Sequence, residues 1–525
     1  MPDISIFNDV IGPVMRGPSS SHCAAALRIG RLARDLMDGD IVEVLVEFDR
    51  EGSLPTTHES QGSDMGLFGG LLGWEADDER LPDSARALAD AGIALRIETV
   101  DVGDPHPNTY RLTLRNDREA HALIAISTGG GMMEVHSIDG ALLRMDGGYD
   151  ETLAWLDGSQ RDAAERLAAR LDADEVLVHE AGASLLLQVK AAGFVPDEAL
   201  AELRPARVRR LGRVLPVPSR RGVQLPFRGS QELLAHDGDR HTPLWRLAIA
   251  YETARSGLGE DEVVAKMVDI VRLLRRSIGQ GIAGTHYQDR VLGHQSGGFL
   301  EAMEAGRLLD GGALNRIVLY VTALMEVKSA MGVIVAAPTA GACAGLPGAV
   351  IAMAEAMGRS EEDMARAMLA AGLVGVFFTT RWTFAAEVGG CQAEGGAAAC
   401  MAAAALVTLA GGTRDQALAA ASMALQSMLG LICDPIANRV EAPCLGKNVM
   451  AAANALACAN MALAGFDPLI PLDEVIDAAK AVAERMPREH RCTSLGGLAV
   501  TPTSLRIEQR LAGLRAGGCV GCGCG

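Results

Sequence analysis

Two stretches of this 525-residue chain, around Val333–Met353 and Ala397–Leu409, are its most apolar, and both are built from Ala and Gly more than from large side chains. A membrane-spanning helix needs about 20 continuous apolar residues, and the first stretch is interrupted by Pro338 and Pro347. Small residues let helix backbones approach closely, so both segments are expected as tightly packed core helices rather than membrane spans. The composition agrees: 49% hydrophobic and 22% charged residues suit a chain that buries a large core. Its length favours roughly two to four domains. The net charge of −18 argues against nucleic acid as a partner, because phosphate binding needs clustered Lys and Arg. Met1–Arg16 carries Asp3, Asp9 and Pro13, unlike a charged-then-apolar leader, so a reducing cytoplasm is expected. There the 11 cysteines do not suggest a disulfide framework. They suggest buried thiols, or ligands for a metal or an iron–sulfur cluster.

Composition shifts divide the chain. Residues 1–150 mix strand-like runs (Ile41–Phe48, Tyr110–Leu114, Ala122–Ile126) with helical ones (Ala24–Met37, Asp83–Ala91), the pattern of an α/β or α+β domain. Residues 151–225 hold a helix pattern at Gln160–Leu171 and a strand-like Glu175–His179. Seven arginines follow between Arg204 and Arg221, then prolines; this stretch reads as a solvated connecting segment, or as an anion or subunit contact. Residues 226–510 have helical periodicity and few strand signals and read as an all-helical domain; 511–525 form a Gly- and Cys-rich tail.

Several motifs carry chemistry. Gly17-Pro18-Ser19-Ser20-Ser21-His22 precedes an apolar helix, where hydroxyls and free amides cap the helix or meet an anion. Gly52–Gly66 is dense in small polar residues, and His106-Pro107-Asn108-Thr109 and Ser127–Gly131 flank strands. In the helical half, glycines and prolines punctuate Met331–Gly348, a cost tolerated where backbone must approach something closely. Cys391, Cys433 and Cys444 have the spacing C-x41-C-x10-C. Three thiolates are one short of a closed four-cysteine site, so a metal bound there keeps one open position; buried inert thiols are the alternative.

These segments together resemble the iron–sulfur L-serine dehydratases, in the single-chain form that fuses β-type and α-type regions, as a divergent member. "GPSSSH" and "HPNT" resemble the β-type part; "SAMGVIVAAPTAGACAGLPGA", "GGCQAE", "GLICDPIANRVEAPC", "MALAG" and "LGGLAVTPT" resemble the α-type part, in order, over roughly 1–140 and 226–505. The resemblance implies a β-chain-like α/β domain joined to an α-chain-like helical domain, with the active site between them. It implies a [4Fe–4S] cluster on Cys391, Cys433 and Cys444 and no pyridoxal phosphate. The implied reaction is deamination of L-serine to pyruvate and ammonia, in amino-acid degradation that feeds gluconeogenesis. It also implies an oxygen-sensitive, cytoplasmic lyase, a homodimer with a small-molecule substrate and neither membrane nor nucleic-acid partners. In this reading Ser19, Ser20 and Ser21 hold the substrate carboxylate and Asn108, Thr339 and Lys447 line the pocket. Ser21, His22 and His58 are the catalytic candidates, with His22 either a base or a holder of its loop.

The sequence also departs from the family. Within Gly52–Asp64, Gln61 stands where a histidine is expected, and His58 either takes over its role or is structural. Lys328 replaces an asparagine; it is a surface or salt-bridged lysine, or it neutralises an extra anionic group on the substrate. Lys447 replaces an arginine, keeping the charge but losing the bidentate fork. No ACT-type pattern is evident over 145–225, so no amino-acid effector site of that kind is expected. Cys343 sits in the "PTAGAC" loop, and Cys23, Cys400, Cys458 and Cys492 read as packing residues. Cys519, Cys522 and Cys524 crowd the tail, with Cys524 the candidate tail ligand for an open iron; a second metal site or no role are the alternatives. The rival functions are the same chemistry on threonine, cysteine or a β-hydroxy dicarboxylate, and a non-catalytic iron–sulfur protein.

Overall fold

Alternation of buried and exposed side chains organises the N-terminal half. In Glu43–Asp49, Val44, Val46 and Phe48 are buried; in Thr109–Arg115, Tyr110, Leu112 and Leu114 are; in Ala120–Gly129, Leu123 and Ala125 are. This two-residue period builds strands with one apolar face. The computed structural model, which describes residues 3–17, 19–59 and 61–518, divides into two units. The first comprises Met1–Asp3, Ser19–Val223 and Arg255–Gly257; the second comprises Ile4–Pro18, Gln224–Ala254 and Leu258–Gly525.

The α/β unit holds a six-stranded sheet in the order Ala94–Val100, Glu43–Asp49, Thr109–Arg115, Ala120–Gly129, Met132–Ile138, Ala141–Met145. The first pair is parallel and the others antiparallel. Ala25, Ile29, Leu32 and Leu36 of the helix Cys23–Leu36 join the apolar face of this sheet in one core. The helix Ser63–Leu71 lies against Cys23–Leu36 almost backbone to backbone. A Cβ at Gly66 would stand 2.2 Å from the Cys23 carbonyl oxygen, and one at Gly70 2.2 Å from that of Leu27. That close approach accounts for the glycines after the polar Gly52–Asp64 stretch.

Residues 151–225 are not a solvated connecting segment. Four antiparallel strands lie in the order Arg207–Leu211, Asp150–Asp157, Ser184–Ala191, Glu175–Ala181. The helices Arg161–Ala168 and Asp197–Leu200 fall in the first and last connections, giving the βαββαβ order of ferredoxin-like modules. ACT modules share this connectivity, so the expectation against one does not hold at the level of topology. The middle of the arginine tract is the strand Arg207–Leu211, where Arg209 meets Glu119 at 2.6 Å and Arg210 meets Asp197 at 2.6 Å; just beyond it Arg213 meets Asp150 at 3.1 Å. The sequence missed it because frequent arginines mask the apolar period of a short strand.

The second unit is helical, as expected. The helix Cys391–Leu409 is buried nearly all round and packs against Gly345–Ala356, Glu361–Arg381, Arg414–Gln426 and Cys444–Leu463. A run of alanines is what lets four neighbours crowd one helix. Glu361–Arg381 and Cys391–Leu409 are long and apolar enough to cross a membrane, but 78% and 89% of their apolar windows are buried within the fold, as core helices are. Contrary to the 1–150 boundary, Ile4–Pro18 belongs to this unit. Val14–Arg16 pairs antiparallel with Val333–Val335, and Glu252 accepts from Ser5 Oγ and the Ile6 amide at 2.8 Å each.

Candidate active site and metal centre

In the α/β unit the motif loops are tied by one hydrogen-bond chain. Thr57 Oγ1 donates to the Ser53 carbonyl at 2.7 Å, so it accepts from His22 Nε2 at 3.0 Å. That leaves Nδ1 as the acceptor for Ser19 Oγ at 2.8 Å, which assigns the tautomer from the network. Ser53 Oγ donates to Asn108 Oδ1, and Ser127 Oγ to the Ser21 carbonyl at 2.6 Å. Ser19–His22, Ser53–Thr57, Asn108 and Ser127 therefore converge. Ser20 is buried, and Ser19, Ser21 and Asn108 are half-buried. Burial pushes His22 down to about 4, so its ring is neutral at neutral pH and both nitrogens are occupied. Of the two roles left open for His22, this arrangement favours holding the loop.

His58 is placed differently. Its Nδ1 lies 2.8 Å from both oxygens of Asp64, a partner that raises its pKa, and its ring packs on Phe48 at 5.4 Å. The Gln61 amide donates to the Thr57 carbonyl at 3.0 Å.

The helical unit gathers thiols. Cys391 opens the helix Cys391–Leu409 and Cys444 opens Cys444–Leu463, so both sit at helix N-termini, which favour thiolate. Cys433 lies in the loop between Arg414–Gln426 and Cys444–Leu463, its amide donating to the His490 carbonyl at 2.8 Å. All three are buried. The Cys433 thiol is hydrogen-bonded with Cys391 and with Cys492; these contacts, then burial, push its pKa up. Burial also raises Cys444. Cys492, read from sequence as a packing residue, thus stands against the thiol group, packed on the Ala386, Cys391 and Cys433 cluster.

Charged groups surround these thiols. Lys447 Nζ donates to Cys391 Sγ at 3.6 Å, to the Ile432 carbonyl at 2.7 Å and to Asp434 Oδ1 at 2.6 Å. Burial alone would lower its pKa, but Cys391 and Asp434 outweigh it and hold it above the usual lysine value. All three donor directions are committed within the protein. Asp434 Oδ2 accepts from the Leu498 amide at 2.8 Å. A Cβ at Gly497, whose φ is +61°, would stand 2.5 Å from that oxygen, which accounts for the second glycine of "LGGLAV".

Thr339 Oγ1 donates to Glu394 Oε1 at 2.7 Å, and the Glu394 carboxylate lies within 4.8 Å of the Cys391 and Cys433 sulfurs. Burial pushes Glu394 up to about 7. Lys328 is wholly buried, with Nζ donating to the Val440 carbonyl and its charge felt by Cys343, Glu394, Glu441 and Cys444. The surface reading of Lys328 is therefore corrected. Cys343 is buried, and burial lifts its thiol to about 11. Asn448 pins the glycine-rich loop to the Cys444 helix: Oδ1 accepts from the Ala344 and Gly345 amides at 3.2 and 2.9 Å, and Nδ2 donates to the Gly341 carbonyl at 2.8 Å.

Sequence reasoning missed Glu394, Asp434, Asn448 and Cys492. The signal was spacing: Glu394 and Asn448 follow Cys391 and Cys444 by one helical turn, and Asp434 follows Cys433 directly. Cys519, Cys522 and Cys524, with the tail-ligand expectation, lie outside the described residues.

An α/β unit joined to a helical unit, with thiols and charges gathered in the latter, defines the class. Residues 239–499 match the family model described as serine dehydratase alpha chain. The chain is 36% identical over 287 residues to the probable L-serine dehydratase alpha chain of Bacillus subtilis, covering 55% of this chain and 96% of that one. It is 38% identical over 149 residues to the probable beta chain of the same organism, 28% of this chain and 66% of that one. Along 502 residues it is 29% identical to the L-serine dehydratase of Streptomyces coelicolor, 92% of this chain and 96% of that one. The chain belongs to the L-serine dehydratase family, a family of lyases, and carries both the α-type and β-type regions.

Proposed function

We propose that this protein is a [4Fe–4S]-dependent L-serine dehydratase, forming pyruvate and ammonia from L-serine. The observation that carries the reading is the pairing of Cys391 with Cys433 within the family-matched region, with Cys391 and Cys444 at helix N-termini, Cys444 within electrostatic reach of Cys391, and a lysine ammonium beside Cys391. The donor set fits such a cluster. None of the eight described cysteines is in a disulfide, and burying neighbouring thiols without a metal leaves their polar S–H groups poorly solvated. Cys391, Cys433 and Cys444 would hold the cluster. When bound, it supplies a Lewis-acid iron for the substrate hydroxyl and carboxylate.

The chain's own residues supply the rest. Lys447 offsets thiolate charge at Cys391, and Asp434 fixes that lysine. Glu394 Oε, within 4.8 Å of two ligand sulfurs and oriented by Thr339, is placed to take the α-proton. Loss of that proton and of hydroxide, as water, gives 2-aminoacrylate, which tautomerises and hydrolyses to pyruvate and ammonia. In the α/β unit Ser19, Ser20 and Ser21, held by the His22–Thr57–Ser53–Asn108 chain, present hydroxyls and amides for a carboxylate. A cytoplasmic homodimer completes the reading.

The test is anaerobic reconstitution followed by assay. Iron and sulfide should approach four each per chain, visible absorbance should be bleached by air, and serine should yield a keto acid and ammonia. A full cluster without turnover of any β-substituted amino or hydroxy acid would overturn the lyase reading. One observation favours a second substrate: the buried Lys328 ammonium suits a β-hydroxy dicarboxylate. Faster turnover of that substrate than of serine would select it.

A further inference from the structure

Histidines recur around the sheet of the α/β unit, and their partners differ. His22 has both ring nitrogens in hydrogen bonds and is held neutral by burial. His121 is buried between Asp139, 2.7 Å from Nδ1, and Arg207, 2.8 Å from Nε2. His106 accepts from the Asn108 amide at 3.2 Å, and burial lowers its pKa. His58 alone of these four joins a carboxylate on one nitrogen to an unclaimed second one. Its Nδ1 donates to Asp64, 2.8 Å from each oxygen, and Nε2 takes part in no hydrogen bond among the described residues. The side chain is 17% exposed, so a small molecule can reach the ring.

The chain is folded to make this pair. The short helix Leu54–Thr57 ends at His58, and Gly62, at φ +87°, turns the chain back. The Ser63 amide then donates to the His58 carbonyl at 2.9 Å, which sets Asp64, at the start of the helix Ser63–Leu71, beside the ring. Phe48 packs on the ring and in turn meets Tyr110 edge-on. The pair also borders the serine loop. Thr57, the residue before His58, accepts from His22 Nε2 at 3.0 Å, and a Cβ at Gly62 would stand 3.4 Å from the Cys23 Cβ.

Asp64 fixes the tautomer. Nδ1 keeps its proton in both ring states, so the proton that comes and goes is the one on Nε2. The charged groups that face the ring, Asp64 and Glu59, are both acidic, and they outweigh burial in raising its pKa.

We propose that His58 and Asp64 form the acid of the reaction, with His58 Nε2 giving its proton to the β-hydroxyl of a substrate whose carboxylate lies on Ser19–Ser21. This rests on the dehydratase reading above. As the Cβ–O bond breaks, its electron pair stays on oxygen, and the Nε2 proton joins that oxygen to make water. The α-proton goes to the base of the elimination, and the Cα–H electron pair forms the new double bond. Proton exchange with solvent restores both groups. A staple for the 58–64 turn would need only Nδ1.

The test compares wild type, His58→Asn and Asp64→Asn, each reconstituted anaerobically with iron and sulfide counted. Asparagine reproduces the Nδ1 donor of His58 and lacks the second nitrogen, so a staple survives the change and an acid does not. With serine, His58→Asn should lose on the order of 100-fold or more in kcat. The fall of kcat/KM that wild type shows as pH rises through the His58 pKa should vanish with it. With β-chloro-L-alanine, whose chloride leaves without a proton, His58→Asn should keep most of its rate. Asp64→Asn should move the basic limb to lower pH, because the charge that raises His58 is gone. Wild-type turnover of serine by His58→Asn, or an equal loss on both substrates, would overturn the inference and leave the dehydratase reading standing. A wild type that holds a full cluster and dehydrates no substrate would sink the dehydratase reading, and this inference with it. If His58→Asn does not fold, Asp64→Asn decides: a basic limb moved to lower pH supports the acid, and an unmoved one overturns it.

Discussion

The two units solve the same problem in opposite ways. Each must hold polar groups in fixed positions away from water. The α/β unit does so with neutral groups: Ser19, His22, Thr57, Ser53 and Asn108 each pass a hydrogen bond to the next, and burial keeps the imidazole uncharged. The helical unit does so with ionisable groups, where Lys447, Asp434, Glu394, Lys328 and the thiols lie within one small volume. A neutral chain needs no counter-charge and suits recognition of a small polar molecule. A buried set of thiols and charges is tolerable only if the charges offset one another or a cation completes them. The difference teaches which of the two sets of groups would call for a cation.

The largest effect should come from Cys433→Ala. It removes the sulfur that bridges Cys391 and Cys492 in hydrogen bonding, so no neighbouring thiol can replace it without moving the loop. Iron and sulfide content and keto-acid release should fall to background together, while the α/β unit keeps its hydrogen-exchange protection. Retention of a full cluster in this variant would break the comparison outright.

The neutral chain is tested by pH. Burial lowers His22 from 6.5 to about 4. Between those values the unfolded chain binds a proton that the folded one refuses. The stabilisation is complete above pH 6.5 and is lost as pH falls through 4, up to about 3 kcal/mol at 1.36 kcal/mol per pKa unit. His22→Gln should remove that loss between pH 7 and pH 5, read as hydrogen-exchange protection of Cys23–Leu36. Equal pH dependence in the variant would show that the ring is not held neutral.

How much of this was legible in the sequence follows the same division. Strand and helix runs in 1–150 were readable because apolar periodicity is local: Tyr110–Leu114 lies within Thr109–Arg115, and Ala24–Met37 is nearly Cys23–Leu36. The core role of the Ala-rich helices was readable too, from small side chains and interrupting prolines. The module at 151–225 was not, because charge hid its strand period. Nor was the membership of Ile4–Pro18, whose partners Glu252 and Val333–Val335 are more than two hundred residues away. At the site, type and spacing made Cys391, Cys433 and Cys444 candidates beside inert buried thiols, and the family resemblance is what implied them as a ligand set. Lys328 was singled out but its complete burial was not readable, and Cys492 was read as packing, since burial and a left-handed loop arise only from the tertiary path.

A smaller effect should follow from loosening the counter-charge. Lys447→Gln leaves Asp434 buried without its partner and removes the cation beside Cys391. Groups that orient and charge-match metal ligands typically contribute about 10- to 100-fold in metal affinity. Cluster retention during gel filtration against a chelator should fall by that order. Lys447→Arg should recover part of it by restoring charge without the point geometry of the ammonium. If Lys447→Gln instead raises KM for serine and leaves cluster retention unchanged, the lysine belongs to substrate binding, as the sequence suggested.

The smallest effect should come from Cys458→Ala, which sharpens the comparison by separating a thiol's type from its position. Cys458 shares the helix Cys444–Leu463 with the proposed ligand Cys444, is 3% exposed, and hydrogen-bonds Asn454 of its own helix. Replacing its sulfur with hydrogen leaves a small apolar gap and forfeits one weak hydrogen bond, a cost of about 1 kcal/mol. A slightly lower unfolding midpoint with unchanged iron content and kcat is expected. A loss of cluster here would mean that the centre senses the packing of the whole helix rather than the groups at its N-terminus. The division between structural and ligating cysteines would then fail within a single element.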